Sequence, residues 1–154
     1  MIDVRRAGPG DAEELIRLRA VMLEVTEVTG DWQRTGADLL RTQLAATEPS
    51  AAAFVVDKGD GPGLAACVLG QVDQRLPGPN NISGRRGYVY NVATDPAYRR
   101  RGFSRACMTA LLEWFAGRGV DVVDLRASPE GEPLYASLGF VRTADPAMRF
   151  KRAR

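Results

Sequence analysis

Histidine is absent from the 154 residues of the chain. This absence excludes Ser-His-Asp triads, Cys-His dyads, HExxH zinc sites and histidine general bases. Any proton transfer must therefore use a carboxylate, tyrosine, lysine, cysteine or water. The GxxxxGK[ST] and GxGxxG loops are missing as well, which argues against nucleoside triphosphates and dinucleotides as ligands.

Cysteine and long apolar runs are scarce. Cys67 and Cys107 lie in separate apolar stretches without a CxxC pair, which predicts buried free thiols in a reducing compartment. No apolar run approaches the ~18 residues of a membrane-spanning helix. The segment MIDVRRAGPGD carries charges where a signal peptide would have its apolar part. We therefore predict a cytoplasmic protein with no membrane partner.

Charge of one sign does not dominate the chain, because 21 basic residues face 19 acidic ones for a net charge of +2. The segment YRRRGFSRA at 98–106, with four arginines around one glycine, is therefore a local feature. A chain of this length is expected to form one domain, residues 1–154, that buries about two-thirds of its unfolded surface.

The apolar periodicity and the turn residues predict an α/β (α+β) protein. Its core is expected to be a mixed, mostly antiparallel sheet of six to seven strands with about four helices. The predicted strands are 2–6, 53–56, 64–72, 88–93, 120–127, one from Phe140 and one at 148–151, and the predicted helices are 11–25, 31–46, 103–115 and 131–138. Residues 76–87 are expected to form an irregular loop. Asn91 is the one polar residue in a strand predicted to be covered on both faces. It indicates either a β-bulge or a side chain that points into a solvent-filled cleft.

The segment 98–106 has the form of an anion-binding turn. It follows a predicted strand and begins the clearest predicted helix, in which Phe103, Cys107, Leu111 and Trp114 lie at helical spacing. Free N–H groups at a helix N-terminus and the positive end of the helix dipole both favour an anion. Phosphate is the expected ligand of this turn.

The stretch VATDPAYRRRGFSRACMTALLEWF closely resembles the acetyl-CoA signature of the GNAT superfamily of N-acetyltransferases, whose core is Arg/Gln-x-x-Gly-x-Gly/Ala. Arg99, Gly102 and Ser104 occupy that core, and serine departs from the usual Gly or Ala. The later stretch PLYASLGF at 133–140 resembles the LYxxLGF element of the same superfamily. The predicted order of elements also matches the GNAT layout across nearly the whole chain.

This resemblance implies acetyl-CoA as the co-substrate and no metal. In similar proteins the loop amides hold the pyrophosphate, the preceding strand pairs with the pantetheine arm, and two parallel strands splay apart at the cofactor. The implied cofactor-binding residues are Asn91, Val92, Ala93, Arg99, Arg100, Arg101, Gly102, Phe103, Ser104 and Arg105.

The resemblance further implies acetyl transfer to a primary amine by direct attack in a ternary complex. Tyr135 resembles the general acid that protonates the leaving thiolate, and the alternative is an aromatic ring packed under the cofactor without a proton role. Candidates for a base or a water-holding group are Glu24, Glu27, Asp73 and Asn91. The acceptor, a small-molecule or peptide amine, is expected to contact residues 25–32, the loop 76–87 and the aromatics Trp32, Tyr88 and Tyr90.

Two competing functions are considered. The first is a GNAT-fold module that binds or senses acyl-CoA without turnover, because the sequence identifies no base. The second is nucleic-acid binding by RRRGFSR, which lacks interleaved aromatics and a wider basic face, so no nucleic-acid partner is expected. A homodimer is implied by the resemblance alone.

Overall fold

In the computed structural model, which describes residues 1–26 and 30–153, one five-stranded sheet forms the centre of the protein. The strands follow each other in the sheet in chain order: β1 (Arg5–Arg6), β2 (Ala51–Asp57), β3 (Leu64–Gln74), β4 (Arg85–Thr94) and β5 (Val122–Leu125). The first four are antiparallel, and only β4 and β5 are parallel. The β2–β3 hairpin and the parallel pair around the third long helix agree with the sequence prediction.

Helices cover both faces of the sheet. They are α1 (Ala12–Met22), α2 (Asp31–Ala45), α3 (Phe103–Gly117) and α4 (Glu132–Ser137), with short 3-10 turns at Pro9–Asp11 and Pro96–Tyr98. The buried side chains of α1 and α2 form one core cluster with β2, β3 and β4. Those of α3 and α4 form a second cluster on the other face. The mixed α/β class and the four helices were predicted correctly.

The ring of Phe115 on α3 lies directly on the sheet because two strand glycines leave room for it. A Cβ atom added to Gly70 would lie 2.8 Å from the ring, and one added to Gly87 would also lie 2.8 Å from it. Phe115 is fully buried. The close approach of α3 to β3 and β4 therefore depends on these two glycines.

The parallel strands part at their carboxyl ends. Pairing between β4 and β5 runs from Arg86–Val122 to Val89–Leu125, whereas β4 continues to Thr94. The edge of β4 that faces β5 is thus left without a strand partner over its last residues. This is the splayed pair of parallel strands that the resemblance to the GNAT superfamily implied.

The prediction of six to seven strands was wrong, because the described residues 139–153 contain no strand. The stretch from Phe140 and the stretch 148–151 have apolar and aromatic residues, but Val141 and Phe150 are 85% and 84% exposed. A strand is stabilised by a hydrogen-bonded neighbour and a covered face rather than by its own residues. The first strand is also shorter than predicted, with only Arg5 and Arg6 paired to β2.

Candidate active site

The loop before α3 has the backbone of an anion cradle. Arg100 and Gly102 both have left-handed backbone, with φ of 63° and 79°. Gly102 is the N-cap of α3 and no side chain caps the helix, so the first intrahelical donor is the N–H of Ala106, which bonds to the carbonyl of Gly102 at 3.1 Å. The preceding N–H groups are left for an external acceptor, and the helix dipole favours an anion there.

The four arginines of this loop are exposed, and two of them have partners within the protein. The guanidinium of Arg101 stacks on the ring of Tyr98, 5.0 Å from its centroid. Arg105 donates to the hydroxyl of Ser137 on α4 at 2.5 Å. Within the described residues, Arg99 and Arg100 make no ion pair or hydrogen bond, so their charges are the ones open to a ligand.

Ser104, which departs from the family pattern, ties the start of α3 to the end of β4. Its hydroxyl lies 2.8 Å from that of Thr94. Phe103, beside it, is half-buried and packs against the α3 core. The cradle is therefore held to both the strand and the helix that flank it.

Free backbone donors on β4 point toward the splay. The N–H of Asp95, just after β4, donates to the carbonyl of Ala65 on the β3 side at 2.8 Å. Successive residues of an antiparallel strand alternate in direction, so the N–H groups of Ala93 and Asn91 also turn toward β3. Those of Val92 and Thr94 turn to the opposite side, where β5 has already ended.

A β-bulge lies where β4 begins to part from β5. Leu69 pairs with Asn91 and the next residue of β3 pairs with Val89, so Tyr90 is the extra residue. This register confirms the bulge, one of the two interpretations of Asn91, and the Asn91 residue is only 2% exposed. Its Oδ1 accepts from Arg19 at 3.0 Å and its Nδ2 donates to the sulfur of Cys67 at 3.6 Å. Both ends of this amide thus have partners within the protein.

Two clefts meet at Tyr135. The loop cleft, of about 900 Å³, is lined by Thr94, the loop 98–105, Ser128 and Gly131. The strand cleft, of about 850 Å³, is lined by the splayed ends of β4 and β5, the end of α1 and residues 148–150. Val92 and Tyr135 belong to both. A long ligand anchored at the loop would therefore reach the strand cleft past these two residues.

Tyr135 is buried, with 8% of its surface exposed, and this burial raises the pKa of its phenol. Its hydroxyl has no hydrogen-bond partner among the described residues. The ring packs edge-on against Phe140, with centroids 6.1 Å apart. A Cβ on Gly131 would lie 2.9 Å from the ring, so this glycine, which sequence reasoning missed, also sets the ring position. The phenol is thus a protonated, unpartnered donor at the junction of the clefts.

The candidate bases are dispersed. Glu24 is exposed, has a φ of 57° and lines the loop cleft rather than the strand cleft. Asp73 accepts a hydrogen bond from Gln71 at 3.0 Å and lines neither cleft. It pairs with Arg86, which lies about 16 Å along β4 from Asn91 at ~3.3 Å per residue. Glu27 lies outside the described residues.

The strand cleft has features that the sequence prediction did not anticipate. Its lining includes the basic residues Arg19, Arg126 and Arg149 and the aromatic residues Tyr88, Tyr90 and Phe150. Tyr88 and Tyr90 were expected near the acceptor, whereas neither Trp32 nor the loop 76–87 contributes to its lining. A signal for Arg19 was present, because it interrupts the apolar stripe of α1 four residues after Leu15.

Both cysteines are buried free thiols, as predicted, and burial raises the pKa of each to about 12. Within residues 1–26 and 30–153, no group of three or more Cys, Asp or Glu side chains could hold a metal ion. None of the described helices is long and apolar enough to cross a membrane.

Comparisons with known proteins find acetyltransferases similar to this chain in sequence and in fold. Glucosamine 6-phosphate N-acetyltransferase 1 of Oryza sativa subsp. japonica is 40% identical over 58 residues, a match that covers 38% of this chain and only 35% of that relative's length. The crystal structure of a GCN5-related N-acetyltransferase from Ralstonia eutropha JMP134 is 27% identical, with a TM-score of 0.79 and coverage of 97% and 99% of the two chains.

A similar fold is found in the crystal structure of a predicted acetyltransferase with acetyl-CoA from Clostridium acetobutylicum. It has a TM-score of 0.81, 22% identity, and coverage of 97% of this chain and 96% of that one. The sequence model of the acetyltransferase (GNAT) family matches residues 17–140. Since this match spans most of the chain and the fold agrees, the chain belongs to the acetyltransferase (GNAT) family.

Proposed function

We propose that this protein transfers an acetyl group from acetyl-CoA to a primary amine by direct attack in a ternary complex. The observation that carries the proposal is the position of the Tyr135 phenol, buried and without a partner in the described residues, where the loop cleft opens into the strand cleft. A phosphate cradle on one side and an open cleft on the other are what a two-substrate transfer requires.

Co-substrate binding would use the backbone more than the arginine side chains. The uncapped N-terminus of α3 and the left-handed residues before it fit a pyrophosphate group. The outward N–H group of Thr94 fits an amide carbonyl of an extended arm that adds to β4 like a strand. The proposed binding residues are those predicted from the sequence: Asn91, Val92, Ala93, Arg99, Arg100, Arg101, Gly102, Phe103, Ser104 and Arg105.

In the proposed reaction the amine lone pair attacks the thioester carbonyl carbon, and the carbon–sulfur bond breaks with its electron pair on sulfur. Tyr135 gives its proton to that sulfur. The proton that the attacking nitrogen loses restores the phenol through solvent. With reference pKa values of ~10 for tyrosine and ~8.5 for a thiol, the transfer to sulfur costs about 2 kcal/mol, and the raised pKa of Tyr135 adds to this cost, which positioning must offset. The N–H of Val92 is the proposed donor to the thioester carbonyl.

The amine proton is proposed to leave to water. Glu24 and Asp73 lie outside the strand cleft, and Asn91 is engaged by Arg19 and Cys67. Glu27 stays a prediction as a base. Because an alkylammonium of pKa ~10.4 is charged at neutral pH, kcat/KM for the amine should rise with pH over the range 7–9. A flat profile over that range would require a base within the protein.

The test combines binding and turnover. Acetyl-CoA at millimolar concentration should raise the melting temperature, and a panel of amines should release coenzyme A thiol. The protein's own thiols would not contribute, because burial raises the pKa of both to about 12. Absence of a thermal shift would refute acetyl-CoA binding.

The variant Tyr135→Phe should lower kcat by about 100-fold and leave the acetyl-CoA thermal shift unchanged. A loss below tenfold would instead assign Tyr135 a packing role. A clear thermal shift without thiol release for any amine would favour the second candidate, a module that binds or senses acyl-CoA. That candidate is favoured by the lack of a described carboxylate in the strand cleft.

Several expectations stay predictions. They are a cytoplasmic location, a homodimer, one domain over residues 1–154, and the absence of nucleic-acid and membrane partners. Size-exclusion chromatography with light scattering tests the dimer.

A further inference from the structure

The charged residues that line the strand cleft are all of one sign. Three arginines line it, and they come from three places in the chain: Arg19 on α1, Arg126 after β5 and Arg149 near the C-terminal end. Among the described residues that line this cleft there is no Asp or Glu. The chain as a whole has a net charge of only +2, so the cleft is a local concentration of positive charge.

These three arginines, like Arg99 and Arg100 of the loop, make no ion pair with a carboxylate of the described residues, whereas other arginines of the protein do. Arg5, Arg17 and Arg86, for example, each bind a carboxylate at 2.7–3.1 Å. By contrast, Arg126 and Arg149 make no hydrogen bond or ion pair within the described residues. Arg19 donates only to the amide oxygen of Asn91, a neutral group. The positive charges of these three arginines are therefore not neutralised by a direct ion pair.

The contact between Arg19 and Asn91 orients one guanidinium without neutralising it. Asn91 is buried in the bulge of β4, and its side-chain Oδ1 accepts a hydrogen bond from Nη1 of Arg19. The remaining donors of a guanidinium form a planar fork that matches a carboxylate or a phosphate. Arg19 is half-buried, and in such a setting the attraction to an anion is stronger than in bulk water.

From this arrangement we propose that the acceptor is an amine that also carries an anionic group, a carboxylate or a phosphate, which Arg19, Arg126 and Arg149 bind in the strand cleft while the amine faces Tyr135. The inference rests on the proposed function and specifies its substrate class. A polycationic amine would face three arginines that no direct ion pair neutralises in the described structure and is disfavoured.

The test compares matched amines that differ in one anionic group. One arm pairs an α-amino acid with its amide, and the other pairs a phosphorylated amino sugar with the unphosphorylated sugar. Spermidine serves as the polycation. Binding is measured by calorimetry in the presence of coenzyme A, and kcat/KM is measured by thiol release with acetyl-CoA. The anionic member of at least one pair should bind at least tenfold more tightly, and added salt should reduce that preference. The arm that shows the preference identifies carboxylate or phosphate.

Variants link the preference to the cleft. Arg19→Gln and Arg126→Gln should each reduce the preference for the anionic member at least threefold and leave the acetyl-CoA thermal shift unchanged. Arg19→Lys should retain part of the preference because it keeps the charge. Arg34→Gln, on α2 and outside the strand cleft, removes the same charge and should have no effect on it.

The outcomes separate this inference from the proposed function. If acetyl-CoA neither stabilises the protein nor supports thiol release with any amine, the proposed function fails. If turnover occurs and neutral amines or spermidine bind as tightly as the anionic ones, the inference on substrate charge is overturned while the proposed function stands. A preference that Arg19→Gln and Arg126→Gln leave intact would overturn the assignment to these arginines.

Discussion

The substitution Gly131→Ala would test how the fold positions the Tyr135 ring. Gly131 has a φ of −86° and a ψ of −23°, which any L-residue adopts, so alanine adds no backbone strain. Its Cβ would lie 2.9 Å from Cε2 of Tyr135, whereas ordinary contacts begin at 3.4 Å, a deficit of 3.4 − 2.9 = 0.5 Å. The ring must move by about that distance, because a packed aromatic ring cannot bend away.

The expected loss follows from this displacement. A misplacement of ~1 Å costs about 100-fold in rate, so half of it should lower kcat about tenfold. Crowding of a packed site costs about 1–3 kcal/mol in the free energy of unfolding. Thiol release measures kcat, and the acetyl-CoA thermal shift, which should persist, reports binding. Gly117→Ala, at a helical position with no atom within 4 Å of the added Cβ, is the matched control.

A double-mutant cycle can refute this reasoning. If Gly131 acts through the position of the phenol, adding Gly131→Ala to Tyr135→Phe should change kcat by less than twofold. If the two reductions in kcat multiply in the double variant, Gly131 does not act through the position of the phenol. An unchanged kcat in Gly131→Ala would mean that the ring does not need its present position.

Three further predictions concern the loop, the core and the thiols. Gly102→Ala should lower the free energy of unfolding by about 1–2 kcal/mol because the φ of Gly102, 79°, lies in the left-handed region. In steady-state kinetics it should raise the KM for acetyl-CoA more than it lowers kcat. Gly87→Ala should lower the free energy of unfolding by about 1–3 kcal/mol in urea titrations because its Cβ would lie 2.8 Å from the Phe115 ring. Gly59→Ala, with no atom within 4 Å of its Cβ, should not, and equal effects of the two would contradict the packing argument. The two buried cysteines should resist thiol reagents at pH 8. The free energy of unfolding should fall as pH rises from ~8.5 toward 12, because cysteines lose their protons in the unfolded state over this range. In the folded state the two thiols, with a pKa of about 12, retain them. Rapid labelling of the native protein at pH 8 would show that these thiols are accessible.

The parts of the fold that depend on local spacing were predictable. The apolar stripe of α3 and the turn around Gly102 involve neighbours in the chain, and both lie where the sequence placed them. The strand from Phe140 and the strand at 148–151 were predicted from the same kind of pattern and are absent from the described structure. Strand formation depends on a partner that the pattern itself does not supply.

The same distinction separates the two halves of the candidate site. The sequence by itself determined the turn that we propose as a phosphate cradle, because consecutive backbone groups and one glycine form it. Only the tertiary structure decided the strand cleft, because Arg19, Arg126 and Arg149 are more than a hundred positions apart at the extremes and meet only after α1, β5 and the C-terminal segment pack around β4. Charge that nearly balances over the whole chain, with a net value of +2, becomes concentrated when folding brings like charges together without their partners.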